Sequence, residues 1–356
     1  MKTTALIMAG GKGERFWPKS RKSLPKQFLV LTNDKRTMIQ LTVERILPLV
    51  DMEDIYIVTN KDYKELVSEQ LPEIPKENIL CEPEGRNTAP CIGLGAFHIS
   101  KKYEDAVMMV LPSDSLIKDG ERYRELVKEA CELAKKGNNL VTMGIKPNYP
   151  ETGYGYIKFS REEKEGNAFK VDRFVEKPSL EVAREYLATG EYLWNAGMFV
   201  WKVSTILSLF KEFLPDMYKG LGKIADAIGT PEQEKVLEKV FPQLESISID
   251  YGIMEKAGSI YTIPGDYGWD DVGSWLAVGR IKKADNNNNV LNGRVITVNT
   301  GNCIIEAKDK LIAAVGLENI VVIDTEDATL ICNKDSCGDI KKVLENLRQL
   351  NYEEYL

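Results

Sequence analysis

The sequence predicts an α/β fold: a Rossmann-like, mixed, mainly parallel sheet followed by a small C-terminal β-rich module. Three observations carry this. In the first half, short apolar runs alternate with stretches of helical period, the pattern of βαβ units. At Asp285–Asn289 a polar run containing four consecutive asparagines reads as a linker. Beyond it come short β-rich pieces at close, fairly even spacing. The expected division is a large first domain over residues 1–284 and a β-rich module with a terminal helix over residues 285–356.

Each element has its own reason. Thr4–Met8, Asp54–Thr59, Ala106–Leu111 and Asn139–Ile145 are short apolar runs that read as buried strands. Met38–Leu49 and Lys61–Leu71 carry apolar residues at helical spacing. Asn87–Lys102 reads as a buried helix, with Asn87 or Thr88 as N-cap and Pro90 in its first turn. Glu121–Lys136 is a charged surface helix. Tyr154–Phe159, Phe169–Val175 and Met198–Val203 are strand-like, helical segments occupy roughly 204–239, and one more strand lies in the Gly- and Trp-rich stretch 258–279. In the tail, Arg294–Val298, Cys303–Glu306, Leu311–Val315, Ile320–Asp324 and Thr329–Cys332 are the β pieces. They form either a small all-β module or a few coils of a β-solenoid, the latter as a left-handed β-helix. Asp339–Leu350 is a final helix.

Composition excludes several function classes. A net charge of −7 argues against a duplex nucleic-acid binder. No stretch reaches the ~20 apolar residues of a membrane span, and Met1–Ala9 lacks a signal-peptide pattern; the expected location is cytoplasmic. The six cysteines form no Cys-x-x-Cys pair and no zinc pattern, so they read as reduced thiols. The single histidine, His98, lies in an apolar run and reads as structural. Catalysis by a Ser-His or Cys-His pair is therefore closed off.

The strand Thr4–Met8 runs directly into Ala9-Gly10-Gly11-Lys12-Gly13-Glu14-Arg15. Glycines after a strand let backbone N–H groups crowd toward an anion. Arg15 and Lys26 add fixed positive charge suited to a polyphosphate. The string is neither a Walker P-loop nor a dinucleotide fingerprint, because Phe16 stands where the third glycine belongs. An Asp at the carboxyl end of a strand, Asp114 after Leu111-Pro112-Ser113, is placed either to ligate Mg²⁺ or to form an Asx-turn.

The string Met8 to Arg15, with Phe16-Trp17-Pro18 and Pro25-Lys26-Gln27-Phe28, resembles the signature loop of the nucleotide-diphospho-sugar pyrophosphorylases, in particular their mannose-1-phosphate guanylyltransferase branch. Further strings follow in order as far as about Leu276. Glu82-Pro-Glu-Gly-Arg-Asn-Thr-Ala-Pro90 resembles a base-side string, with Asn87 and Thr88 as candidate contacts to guanine or ribose. Pro112-Ser113-Asp114 resembles a metal-site string, although Ser115 replaces its usual histidine. Glu151-Thr-Gly-Tyr-Gly-Tyr156 resembles a sugar-facing loop. Val175-Glu176-Lys177-Pro178 and Leu193-Trp-Asn195-Ala-Gly-Met-Phe199 resemble sugar-contact strings. Ser248-Ile-Asp-Tyr-Gly-Ile-Met-Glu255 resembles a string expected to shape the sugar pocket. Gly268-Trp-Asp-Asp-Val-Gly-Ser-Trp275 resembles the string carrying a second metal carboxylate.

The resemblance implies a nucleotide-diphospho-sugar transferase type fold and a transferase that joins GTP and mannose-1-phosphate to give GDP-mannose and pyrophosphate. It assigns Arg15, Lys26 and Lys177 to catalysis and Asp114 and Asp271 to Mg²⁺, Asp270 being a neighbouring acid at the variable position. Ala9, Gly10, Gly11, Gly13, Asn87, Thr88 and Ser113 fall to the nucleotide, and Gly153, Tyr154, Gly155, Glu176 and Asn195 to the sugar. Glu14 departs from the small residue usual in the loop. The alternatives are a sibling enzyme using glucose-1-phosphate with UTP, dTTP or ATP, and a non-catalytic nucleotide-sugar-binding regulatory subunit. No nucleic-acid or membrane partner and a homodimer are expected. Longer guanylyltransferases carry a fused isomerase domain, and no isomerase activity is expected here.

Overall fold

A computed structural model describes all 356 residues and resolves into two compact units. The first comprises Met1–Gly10, Val43–Ser113 and Ile117–Trp269; the second comprises Gly11–Thr42, Asp114–Leu116 and Asp270–Leu356. The chain thus leaves the first unit just after its opening strand and returns after Thr42.

In chain order the elements up to residue 281 are β1 (Lys2–Ala9), α1 (Met38–Ile46), β2 (Ile55–Asn60), α2 (Lys64–Gln70), β3 (Ile79–Glu82), α3 (Thr88–Lys102), β4 (Ala106–Pro112), β5 (Leu116–Ile117), α4 (Gly120–Lys135), β6 (Leu140–Ile145), β7 (Tyr156–Glu165), β8 (Ala168–Val175), α5 (Leu180–Thr189), β9 (Tyr192–Lys202), α6 (Val203–Phe213), α7 (Pro215–Ala227), α8 (Gln233–Val240), β10 (Ile260–Gly265), β11 (Trp269–Asp270) and α9 (Trp275–Ile281). Local signals set many of the boundaries. Asn87 Oδ1 accepts from the Thr88 N–H and opens α3. Asp119 Oδ1 accepts from the Arg122 N–H and opens α4. Pro215 starts α7, where its missing N–H costs no helical bond.

In the first unit nine strands form one sheet in the order β3-β2-β1-β4-β9-β6-β10-β8-β7. β1 pairs in parallel with β2 and β4, β2 with β3, and β6 with β10. β9 runs against β4, β6 and β7, and β8 runs against β10 and β7. Only β8 and β9 oppose the common direction, so the sheet is mixed and mainly parallel. Its central strands are apolar throughout because both faces are covered; Ala5, Leu6, Ile7, Val107, Met108, Met109 and Val110 are fully buried. On one face α3, α6 and α7 pack through Ile92, Leu94, Ile206, Phe210, Leu221 and Ile224. The carboxyl ends of β1 and β4 deliver Ala9–Gly10 and Ser113, and the Ser113 N–H donates to the Met8 carbonyl at 3.1 Å. Two elements escape the sequence expectation. β3 has only two strongly apolar residues, and α5 is a largely exposed helix opened by Ser179.

The second unit contains β12 (Val290–Asn292), β13 (Val295–Val298), β14 (Ile304–Glu306), β15 (Ile312–Val315), β16 (Ile320–Asp324), β17 (Thr329–Asn333) and α10 (Ile340–Gln349). β12, β14 and β16 stack in parallel, β13 and β15 stack in parallel, and β17 closes the larger sheet antiparallel to β16. Successive coils are offset by 14–17 residues: Val290 pairs with Ile304, and Ile304 with Val321. This is a short solenoid with Cys303, Ile305, Ala314 and Val322 inside. Asparagines with positive φ (Asn288, Asn299, Asn302, Asn319) turn its corners. The asparagine run that reads as a linker is therefore partly structural; Asn289 is fully buried and bonds Asp285, Thr300 and Cys303.

Within this unit the loop 11–42 packs on the solenoid. Phe16, Trp17, Leu29 and Leu31 share a core with Trp275, Ile304, Val321, Ile340 and Leu344. Phe16 meets Trp275 edge to face at 5.2 Å, a contact worth about 0.5–1.5 kcal/mol beyond its buried area. The Trp17 indole N–H donates to the Tyr355 carbonyl at 2.8 Å. Glu306, 2% exposed, bridges Lys19 and Lys282. Burial alone would raise its pKa, but the two lysines hold it below the ordinary range. No helix is long and apolar enough to cross a membrane. All six cysteines are free, and the Cys332 and Cys337 sulfurs lie 3.8 Å apart.

Candidate functional site

The second unit gathers the cationic loop and two acids. Gly13 is left-handed at φ +62°, and a Cβ on it would lie 2.4 Å from Lys26 Cβ and 2.6 Å from the Lys26 nitrogen. Only glycine lets the loop fold this closely over Lys26. Lys26 is 6% exposed, and its ammonium donates to Asp114 Oδ2 at 2.8 Å and to the Asp271 carbonyl at 2.6 Å. One lysine thus ties together the loop, the segment after β4 and the segment after β11. Arg15 lies exposed in the turn Glu14–Phe16, beside Gly11 and Lys12, which are also exposed. Glu14 turns to Arg348, 2.8 Å away, so its charge is compensated inside the unit.

The two adjacent acids after β11 differ in what they hold. Asp270 accepts from the Val272 N–H at 2.8 Å and pairs with Arg280 at 3.0 Å. Asp271 folds its carboxylate over Gly273, where a Cβ would meet Oδ2 at 2.4 Å. Between them and the helix stands Val272 at φ +47° and fully buried. A β-branched residue with positive φ is strained, and such strain concentrates at functional sites. The only other non-asparagine residue with positive φ besides glycine is Lys177, at +43°.

Lys177 belongs to the first unit, where the remaining residues cluster. Its ammonium lies 2.7 Å from Glu176 Oε1, and this contact raises its pKa. A Cβ on Gly155 would strike Glu176 Oε2 at 2.6 Å and touch Asn195 Cβ at 3.5 Å. Glu176, after β8, and Asn195, in β9, therefore close over the backbone of Gly155. Asn195 donates from Nδ2 to Asp250 Oδ1 at 2.8 Å and accepts at Oδ1 from the Gly197 N–H at 3.0 Å. Tyr154 packs edge to face on Trp194 and Trp269, and the exposed Gly153 donates to Glu151 at 2.7 Å. Gly155, Tyr154, Glu176, Lys177 and Asn195 are thus one cluster.

The base-side string is less uniform. Asn87 is exposed at φ +68°. The Thr88 hydroxyl accepts from the Ile249 N–H at 2.8 Å, one residue before Asp250. Ala9 and Ser113 are buried and Gly10 exposed, at the carboxyl edge of β1 and β4.

Two acids of the first unit were not picked out from the sequence. Glu82 ends β3, is 4% exposed, and its Oε1 has no hydrogen-bond partner. Its Oε2 lies 3.9 Å from where a Cβ on Gly10 would stand. Burial pushes its pKa up to about 8. Asp250 opens a π-helical turn, Asp250–Met254. Burial and the neighbouring Glu176 push its pKa up to about 6, against the Asn195 bond that lowers it. No local pattern marked either burial, although Asp250 lies within the Ser-Ile-Asp-Tyr string.

A third acidic group, Asp51, Glu53 and Asp54, lies before β2, at the amino edge of the sheet. Asp54 is neutralised by Lys2 at 2.8 Å and Lys102 at 3.4 Å, which marks the group as structural.

Known proteins are similar to this chain in sequence and fold. The nucleotidyl transferase family pattern covers residues 4–288, and that of the MannoseP isomerase/GMP-like beta-helix domain covers residues 293–347. A mannose-1-phosphate guanylyltransferase of Salmonella montevideo is 40% identical over 99% of this chain and 75% of its own length. One of Escherichia coli is 39% identical over 98% of this chain and 75% of its own length. A crystal structure described as mannose-1-phosphate geranyltransferase from Thermus thermophilus superposes with a TM-score of 0.89 at 36% identity, covering 98% of this chain and all of that one. The chain is a nucleotidyltransferase by descent and by fold, and it belongs to the mannose-1-phosphate guanylyltransferases of the nucleotidyl transferase family.

Proposed function

We infer that the chain transfers the guanylyl group of GTP to mannose-1-phosphate, giving GDP-mannose and pyrophosphate. The observation that carries this reading is the convergence of Lys26, Asp114 and Asp271 beneath a glycine loop, in a chain whose relatives bear that name. A phosphate oxygen of the sugar phosphate attacks the α-phosphorus in line. The bond from that phosphorus to the oxygen bridging to the β-phosphate breaks, and pyrophosphate leaves with the electron pair. The attacking oxygen is already anionic, so no general base is required, in keeping with the single histidine.

The protein's task is to orient two polyanions and neutralise charge that shifts toward the leaving group. Gly11 and Gly13 give the triphosphate close access to backbone N–H groups. Arg15 and Lys26 stabilise the departing pyrophosphate. Lys177 screens and aims the sugar phosphate, and Glu176 and Asn195 bind sugar hydroxyls. Ala9, Gly10, Asn87, Thr88 and Ser113 line the nucleoside side, and Gly153, Tyr154 and Gly155 the sugar side.

Asp114 and Asp271 fit a hard divalent cation, because both are carboxylates and Lys26 occupies only one oxygen of Asp114. Mg²⁺ held there would neutralise the α-phosphate and the sugar phosphate. Residues 1–284 are proposed as the catalytic domain and 285–356 as a packing module, with a cytoplasmic homodimer as the working form and no nucleic-acid or membrane partner. Incubation with GTP, mannose-1-phosphate and Mg²⁺, followed by mass spectrometry, tests the reading: a GDP-mannose peak that requires all three supports it, and intact substrates refute it.

A further inference from the structure

We propose that Asp250 is a positioning and specificity residue that sets which way the Asn195 amide faces the sugar. The inference deepens the sugar-phosphate reading of this cluster and rests on it.

The argument is one of hydrogen-bond capacity. A primary amide has two N–H donors and one acceptor oxygen, and its two ends are interchangeable by rotation unless neighbours distinguish them. Here both ends are assigned. The Gly197 N–H can only donate, so it selects the Asn195 oxygen. An ionised Asp250 can only accept, so it selects the Asn195 nitrogen. The amide is left with one N–H to offer a ligand. Beside it stand the carboxylates of Glu176 and Asp250, both acceptors. A donor flanked by acceptors matches a pair of vicinal hydroxyls, each of which can accept from one side and donate to the other.

The backbone fixes the frame. Asp250 sits at the start of a π-helical turn, a rare conformation that gathers at functional positions. Its preceding residue, Ile249, is fastened to Thr88 by a 2.8 Å bond. The Asn195 N–H donates to the Gly155 carbonyl at 2.8 Å. Neither partner of the amide is free to drift.

The titratable groups around Asp250 are Glu176 and Lys177 after β8 and Glu255 just past its own turn, with the neutral Tyr251 also facing Lys177. Burial and Glu176 disfavour the ionised form, while Asn195 favours it. Protonated Asp250 presents an O–H that competes with the amide N–H, so the orientation of Asn195 weakens as the pH falls. Sugar-phosphate affinity then falls with it, while nucleotide affinity does not.

Steady-state kinetics from pH 5 to 8 on wild type, Asp250→Asn and Asp250→Ala test this, with KM measured separately for mannose-1-phosphate and GTP. In wild type, KM for the sugar phosphate rises below about pH 6, and KM for GTP moves less. Asp250→Ala raises KM for mannose-1-phosphate about tenfold, the scale of one hydrogen bond, and narrows the preference for mannose-1-phosphate over glucose-1-phosphate. Asp250→Asn carries a donor as well as an acceptor, like the protonated acid, and does not titrate. It therefore keeps a raised sugar-phosphate KM across the pH range and loses the acid limb, and because it is isosteric it decides the question even if the alanine variant does not fold. An unchanged sugar KM in Asp250→Ala, equal shifts in both KM values, or an acid limb that persists in Asp250→Asn overturns the proposal. Absence of wild-type turnover with any sugar phosphate would instead remove the reading beneath it.

Discussion

The ammonium of Lys26 lies 2.8 Å from the Asp114 carboxylate. The lysine is 6% exposed and the acid's side chain 38% exposed, so a buried cation holds a carboxylate that solvent can reach. In the proposed reaction Lys26 acts on the departing pyrophosphate and Asp114 would hold the divalent cation. Lys26→Ala and Asp114→Ala are each expected to lower turnover about 100-fold or more, in line with loss of one preorganised electrostatic group. Pyrophosphate release measures this, with circular dichroism to establish that the variants fold.

Gly13→Ala should act through Lys26. The added Cβ meets Lys26 backbone and side-chain atoms at 2.4–2.6 Å, and φ is +62°. The left-handed backbone alone costs about 1–2 kcal/mol, and the clash cannot be relieved by a side-chain rotation because the Lys26 nitrogen is involved. A lowered melting temperature together with lowered turnover is expected. Gly11→Ala meets nothing within 4 Å and should leave the melting temperature unchanged.

Glu82 predicts a pH dependence of stability. Its folded pKa of about 8 lies above its ordinary value of 4.5. The folded state therefore binds the proton more tightly, and this contribution is fully present below the unfolded pKa and lost as pH rises through 8. The loss is on the order of 5 kcal/mol for a shift of this size. Glu82→Gln should match wild type at pH 4 and melt higher at pH 9. Equal melting differences at both values would contradict the assignment.

Removal of divalent metal should stop turnover and spare the fold. Both cores are built of apolar side chains, and Asp114 is already paired with Lys26. Dialysis against EDTA is expected to leave the melting temperature unchanged, with activity restored by Mg²⁺.

Much of this architecture was legible in the sequence, and the reasons are specific. β1, β2, β4 and β6 have both faces covered, so they read as continuous apolar runs. α3 announced itself by its Asn87 cap and Pro90. β3 did not, because only Ile79 and Leu80 are strongly apolar and it ends on the buried acid Glu82. Burial of an acid is a tertiary event that no local pattern marks. The same holds for Asp250, whose partner Asn195 is 55 residues away. The grouping of residues 11–42 with the solenoid was equally invisible, since it depends on Phe16 and Trp17 finding Trp275 and Ile340. For the site, glycine, charge and string order named the candidate residues, but not the tie from Lys26 to Asp114 or the commitment of Asp270 to Arg280.

The central claim is tested most directly by pyrophosphate release from the purified protein with Mg²⁺, pairing mannose-1-phosphate and glucose-1-phosphate with each of GTP, UTP, dTTP, ATP and CTP. The account predicts the highest kcat/KM for GTP with mannose-1-phosphate, and its loss in Lys177→Ala. A higher value for any other pair would contradict the substrate assignment, and no release with any pair would contradict the enzyme.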